Sequence, residues 1–169
     1  MDATTLRATQ APLKDRYRTE PDAAIITLKA QGTLDDQHIA CKVETGRAIA
    51  VAGLHPATGG SGAELCSGDM LLEALVACAG VTLKAVATAI EVELRSGTVR
   101  AEGDLDFRGT LGVDKAAPVG FKAIRLTFEI DSDAPQDKID QLLKLTERYC
   151  VVFQSLNNRP VLEARMIRA

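Results

Sequence analysis

Residues 70–90 read MLLEALVACAGVTLKAVATAI, and the fold turns on them. The stretch is apolar almost all round, broken only by Glu73, Gly80, Thr82, Lys84 and Thr88. It lacks the two-residue alternation of a strand, so it reads as one helix, and at 1.5 Å per residue such a helix spans about 30 Å. Ser67 is placed to cap it, and Asp69 lies in the first turn, where the helix dipole favours negative charge. A span of about 30 Å also matches a bilayer core. Against insertion stand Glu73 and Lys84, each costing about 2–3 kcal/mol near a bilayer centre, and a content of Ala rather than Leu and Phe. The expectation is therefore the buried central helix of a soluble protein, not a membrane span.

Working outward, residues 53–68 (GLHPATGGSGAELCSG) hold five glycines and a proline. A glycine-rich loop before a helix can cradle phosphate, but no GK[ST] follows and Asp69 occupies the place of the anion, so this reads as an entry loop. Upstream, 24–30, 38–43 and 47–52 alternate as three short strands, with 31–36 as a turn-rich link, in an antiparallel meander. Downstream, 98–108 alternates Val99, Ala101, Gly103, Leu105 and Phe107 against charged residues, and 122–130 places Ile124, Leu126, Phe128 and Ile130 on one face. Asp133 and Pro135 open an amphipathic helix. Its inner stripe is Ile139, Leu142, Leu143, Thr146, Tyr149, Cys150 and Phe153, and Asn157 to Pro160 end it. Residues 161–167 read as a closing strand. The order predicts an α+β protein, with helices segregated from largely antiparallel sheet: an arm over 1–21 and a single domain over 22–169.

Composition narrows the partners. Aromatics are 4% with no Trp, so a core of small side chains gains from burial against a second copy, and a homodimer is expected. The net charge of −3 supplies no basic surface for nucleic acid. Residues 1–18 lack the apolar run of a signal peptide, and four cysteines at intervals of 25, 12 and 72 form neither a disulfide framework nor a CxxC. With two histidines only, a metal site is not expected, nor is a bound cofactor; the expected compartment is a reducing cytoplasm.

The chemistry rests on thiols, because no Ser-His-Asp order and no HExxH motif is present. Cys78, amid Ala77, Ala79 and Gly80, reads either as a small core residue or as a thiol beside space for a substrate, with Thr82 one turn on to hydrogen-bond a thiolate. Cys150, between Tyr149 and Val151, reads either as core or as the second half of a redox pair. Cys66, just before the helix start, is a rival nucleophile or a loop residue. Cys41 reads as core, His38 as solvated, and His55 as part of the loop.

The strings GLHPATGGSGAELCSGD (53–69) and LLEALVACAGVTL (71–83), with LTERYCVVFQSL (145–156) downstream, resemble the OsmC/Ohr family (osmotically inducible protein C and organic hydroperoxide resistance protein). The resemblance covers roughly 22–168 and implies an OsmC-like fold, intertwined as a homodimer with the long helices at its centre. It implies Cys78 as peroxidatic cysteine, oxidised to a sulfenic acid by an organic hydroperoxide, and Cys150 as resolving cysteine. It further implies reopening of the disulfide by a dithiol reductant, a lipoyl-bearing protein in Ohr-type members. Three departures mark a divergent member. Gly68 stands where Ohr-type members carry a glutamate, with Asp69 next to it. The hairpin QGTLDDQH carries no arginine, leaving Arg16, Arg18 and Arg47 as distant substitutes. Val151 follows Cys150 where relatives often have proline. Without that guanidinium, a mid-helix Cys78 is expected to have a raised pKa and activity climbing into alkaline pH. The alternative reading is a non-catalytic dimer that binds a small apolar ligand beside Cys78.

Overall fold

The computed structural model describes residues 2–5, 8, 10, 11, 19, 31–34, 40–44, 49–112 and 114–168, the backbone alone for 31–34, 40–44 and 49. The strand expected at 24–30, most of the N-terminal arm, His38, Arg16, Arg18 and Arg47 lie outside these residues. Strands β1 (Gln31–Leu34), β2 (Ala40–Glu44) and β3 (Ile49–Gly53) form the antiparallel meander, and a two-residue β4 (Leu65–Cys66) adds parallel to β3. Residues 31–34, expected as a link, pair with β2 from Gln31↔Glu44 to Leu34↔Cys41. The remaining elements are α1 (Ser67–Ala89), β5 (Ser96–Asp104), α2 (Phe107–Thr110), β6 (Ala123–Asp131), α3 (Gln136–Tyr149) and α4 (Val151–Asn157). The result is mixed helix and sheet, with β5 and β6 as a separate antiparallel pair.

Helix α1 starts one residue earlier than a Ser67 cap would place it. Cys66 is the N-cap, and it makes no side-chain capping bond. At the other end Val92 N–H returns to Ala87 C=O at 2.9 Å, and Glu91 takes φ of 59°, a left-handed turn that sends the chain into β5. The helix is not buried all round within one chain. Leu75, Ala79, Leu83, Val86 and Ala87 form one buried stripe, whereas Ala74, Ala77 and Val81 lie exposed on another. The stripe packs on β5, α3 and α4. Burying each leucine in it contributes about 1.5–3 kcal/mol.

Alternation places β5 and β6 as expected, with Val99 and Ala101 facing in beside Ile124, Leu126 and Phe128. Their outer faces carry cross-strand ion pairs, Arg100 to Glu129 at 3.2 Å and Arg125 to Asp104. Strand β5 ends at Asp104 rather than 108, because the Asp106 carboxylate accepts from Arg108 N–H at 3.2 Å and caps the short α2. Gly103 leaves room for the Phe121 ring: a Cβ there would lie 2.4 Å from Phe121 Cε1 and displace it.

Helix α3 is capped by Pro135, not Asp133. The Pro135 carbonyl accepts from Lys138 and Ile139, while Asp133 pairs with Arg95. The long helix expected through Phe153 is broken. Cys150 leaves the helical region (φ −74°, ψ 109°), and α4 begins afresh at Val151. The break turns Val152 and Phe153 onto the core around Cys150. No closing strand forms over 161–167. Val161, Leu162, Met166 and Ile167 are 86–94% exposed, because a strand needs a partner ladder and this segment meets none among the described residues.

Candidate functional site

The buried stripe of α1 meets the α3–α4 break at two cysteines. Cys78, half-buried, lies on α1 beside the cluster of Leu75, Ala79 and Cys150, and Cys150 is 1% exposed. Strand β5 lies beside this turn of the helix: a Cβ on Gly80 would sit in ordinary contact with Val99 Cγ2, at 3.7 Å.

Both cysteines are reduced, and each thiol lies within hydrogen-bonding reach of the other. The break at Cys150 has a second consequence. It brings the Val152 and Val151 N–H groups, the free donors at the start of α4, near enough to Cys78 to favour its thiolate. Burial pushes the Cys78 thiol up. The Val152 N–H, the Cys150 thiol and the Val151 N–H together pull it below its ordinary value. The expected rise is thus overturned: the missing guanidinium is offset by backbone donors from another helix. Cys150 goes the other way, raised by burial and then by the neighbouring Cys78 despite the Phe153 N–H. The two shifts are opposite in sign, so Cys78 is the thiol of the pair that loses its proton more readily.

Thr82, expected to hydrogen-bond a Cys78 thiolate, instead donates its hydroxyl proton to the Cys78 carbonyl at 2.8 Å. Cys66 shares no cluster with the pair; its sulfur lies in the neighbourhood of Gly68, Leu105 and Phe121. Asp69 is exposed and nine residues from Cys78, about 14 Å along the helix axis, out of direct hydrogen-bonding reach. His55 belongs to the loop, as expected. Its Nδ1 accepts from Ala57 N–H at 3.0 Å, and its ring stacks on Phe107. The side chain of Cys41 lies outside the described residues. Among the described residues, no group of three His, Cys, Asp or Glu side chains is placed to hold a metal ion.

A groove of about 540 Å³ is walled by Leu71, Leu75, Ile124, Leu126 and Phe153; neither cysteine lines it, and it adjoins them through shared neighbours. Four of these five also pack in the cysteine cluster, and Lys122 and Arg159 stand at the edge of the groove. Sequence reasoning missed the Val151 and Val152 donors, because a backbone N–H has no residue signature. Thr146, expected on the inner stripe of the helix, is fully buried one turn before Cys150.

A family model described as OsmC-like protein matches residues 60–165, which include both cysteines and every element from α1 to α4. The chain belongs to the OsmC-like family. Solved structures agree on the fold of this OsmC-like protein. The OsmC like protein from Mycoplasma pneumoniae superposes with a TM-score of 0.65 at 16% identity, over 79% of this chain and 89% of that one. An organic hydroperoxide resistance protein OsmC from Legionella pneumophila gives 0.62 at 18% identity, over 80% and 92%. The organic hydroperoxide resistance protein OhrB of Bacillus subtilis gives 0.53 at 18% identity, over 80% and 94%. No curated protein matches the sequence.

Proposed function

We propose that this OsmC-like protein reduces organic hydroperoxides with Cys78 as the attacking thiolate and Cys150 as the resolving thiol. The observation that carries the reading is the pairing of the two sulfurs at the α3–α4 break, with the Val151 and Val152 N–H groups near Cys78. Hydroperoxide resistance is named for two of the structural relatives, and family membership supports a peroxidase-like role at that level.

The Cys78 thiolate attacks the outer oxygen of the O–O bond. That bond breaks, alkoxide leaves and takes up a proton, and Cys78 becomes a sulfenic acid. Cys150 then gives its sulfur to Cys78 and its proton to the departing oxygen, forming a disulfide and water. A dithiol, such as that of a lipoyl protein, attacks the disulfide and restores both thiols. The apolar walls of the groove suit a hydrocarbon-bearing peroxide better than hydrogen peroxide.

The reading includes a homodimer in the cytoplasm. The exposed Ala74, Ala77 and Val81 face of α1 and the apolar segment around Val161, Leu162, Met166 and Ile167 are the surfaces a second copy would cover. Light scattering at micromolar concentration is expected to give twice the chain mass; a folded monomer would remove this part. A second reading, a non-catalytic dimer holding a small apolar ligand, is favoured by the groove and by Gly68 in place of the family glutamate. Mass spectrometry after one equivalent of cumene hydroperoxide separates the two. A Cys78–Cys150 disulfide is expected, and unmodified thiols would favour the ligand-binding reading.

A further inference from the structure

Three threonines lie inside α1 and α3, and they differ in how their hydroxyls are used. Thr82 donates to the Cys78 carbonyl and Thr88 to the Lys84 carbonyl, both at 2.8 Å, the usual way a mid-helix threonine satisfies itself. Thr146 does not. Its side chain is fully buried, and its Oγ1 has no hydrogen-bond partner. A buried hydroxyl left unpaired is a net cost to the fold, and valine would fill the same volume without it.

Its place in the fold ties it to the cysteines. Thr146 precedes Cys150 by one helical turn on the same face, and its carbonyl accepts from Cys150 N–H at 3.0 Å. Leu142, one turn before it, packs on Leu83, Val86 and Ala87 of α1, while Cys150, one turn after it, packs on Leu75 and Ala79. The two helices run antiparallel at this contact, which places Thr146, midway between Leu142 and Cys150, level with the stretch of α1 from Ala79 to Leu83, next to Cys78 in the chain. The mechanism of the reduced pair makes no use of its hydroxyl. What oxidation adds at that point is one oxygen atom, on the Cys78 sulfur.

We propose that the Thr146 hydroxyl, unpartnered in the reduced protein, donates to the oxygen of the Cys78 sulfenic acid and holds it for displacement by Cys150. This rests on the peroxidase reading above. In the displacement the Cys150 sulfur bonds to Cys78 and the S–O bond breaks. The Cys150 proton goes to the leaving oxygen, and water departs. Negative charge grows on that oxygen as the S–O bond lengthens, and the Thr146 O–H stabilises it there. The hydroxyl then acts on the second chemical step and not on the first, in which the thiolate does the attacking.

The test uses the full-length protein, its Thr146→Val and Thr146→Ser variants, and cumene hydroperoxide at one equivalent. Quenching with an alkylating agent at successive times, followed by mass spectrometry, counts sulfenic acid, disulfide and sulfinic acid separately. Thr146→Val is expected to oxidise Cys78 at the wild-type rate, but to form the disulfide roughly three- to tenfold more slowly, the worth of one hydrogen bond. Sulfinic acid should accumulate in it under excess peroxide. Thr146→Ser, which keeps the hydroxyl, is expected to restore the disulfide rate. At fixed protein concentration the reduced Thr146→Val protein should melt about 2–4 °C higher, because the orphaned group is gone. A wild-type disulfide rate in Thr146→Val would overturn the proposal and leave the peroxidase reading standing. So would a reduced Thr146→Val protein that melts lower than wild type, since the hydroxyl would then already have a partner, such as a buried water. If wild-type protein forms no disulfide, the peroxidase reading itself fails and this proposal goes with it.

Discussion

Cys66 and Cys78 stand twelve residues apart on one stretch of chain, and their relation to helix ends is the reverse of what their positions imply. Cys66 occupies the N-cap of α1, where a thiol would be expected to use the free amides of the first turn, yet it makes no capping hydrogen bond. Cys78 sits mid-helix, where α1 has no free amide to offer, yet two lie near it. Those amides belong to α4, whose start lies 73 residues further along at Val151. Nearness to a helix start in the sequence did not decide which sulfur lies beside free amides. What decided it was the break at Cys150, which carries a second helix start to the middle of the first helix.

The sharpest break of this comparison is to remove each sulfur in turn. Cys78→Ser is expected to abolish hydroperoxide consumption, measured as loss of cumene hydroperoxide against a dithiol. Cys66→Ser should keep its rate within about twofold, since its sulfur touches neither the pair nor the groove. A dominant loss in Cys66→Ser would transfer the chemistry to the start of α1.

Cys150→Ser divides the reaction differently. Its first oxidation, followed as stoichiometric loss of the Cys78 thiol, should persist, whereas turnover should stop and sulfinic acid build up. Turnover at the wild-type rate would show that Cys150 does not resolve the sulfenic acid.

The backbone donors can be tested one at a time. Val151 is the first residue of α4, its side chain is 68% exposed, and Cys150 already has the extended ψ that a residue before proline needs. Val151→Pro therefore deletes one N–H near Cys78 at little cost to the helix. The Cys78 pKa, read from the pH dependence of iodoacetamide alkylation, is expected to rise by about half a unit to one unit. In the wild type, alkylation and peroxide consumption should climb with pH and level off below the ordinary thiol value of about 8.5. The sign for stability follows from the same shift. The folded Cys78 pKa lies below the unfolded one, so its contribution is full above the unfolded pKa and fades as pH falls through the folded value. An alkylation midpoint above 8.5 in the wild type would return Cys78 to the status of an ordinary buried thiol.

The smallest effect belongs to the outer face of the β5–β6 pair. Arg100→Gln removes a solvent-exposed ion pair with Glu129, and neither the melting temperature nor the Cys78 pKa should move measurably. A shift in the thiol pKa would mean that long-range charge, rather than the α4 amides, sets the reactivity.

Much of this molecule was legible from periodicity. The alternation of Val99 and Ala101 against Arg100 and Glu102 marked β5, and Ile124 to Ile130 marked β6, because side chains in a strand change face at every residue. The apolar run after Ser67 marked α1, and the resemblance that named Cys78 and Cys150 named two residues that pack in one cluster. Less legible were the ends. Leu105 and Phe107 continue the apolar alternation of β5 in sequence, but the Asp106 cap takes the chain into α2. The stripe from Ile139 to Phe153 is continuous in the sequence, and no Pro or Gly marks the break at Cys150.

The sequence by itself determined α1, β5, β6, the start of α3 and their order, since these depend on local pattern and residue type. Tertiary structure alone decided which groups surround the Cys78 and Cys150 sulfurs. A backbone N–H is present at nearly every residue, and a threonine hydroxyl is unpaired only relative to its neighbours. Both the donors to Cys78 and the orphaned Thr146 exist because α1, α3 and the start of α4 pack at one point, a property of distances between segments that no local pattern encodes.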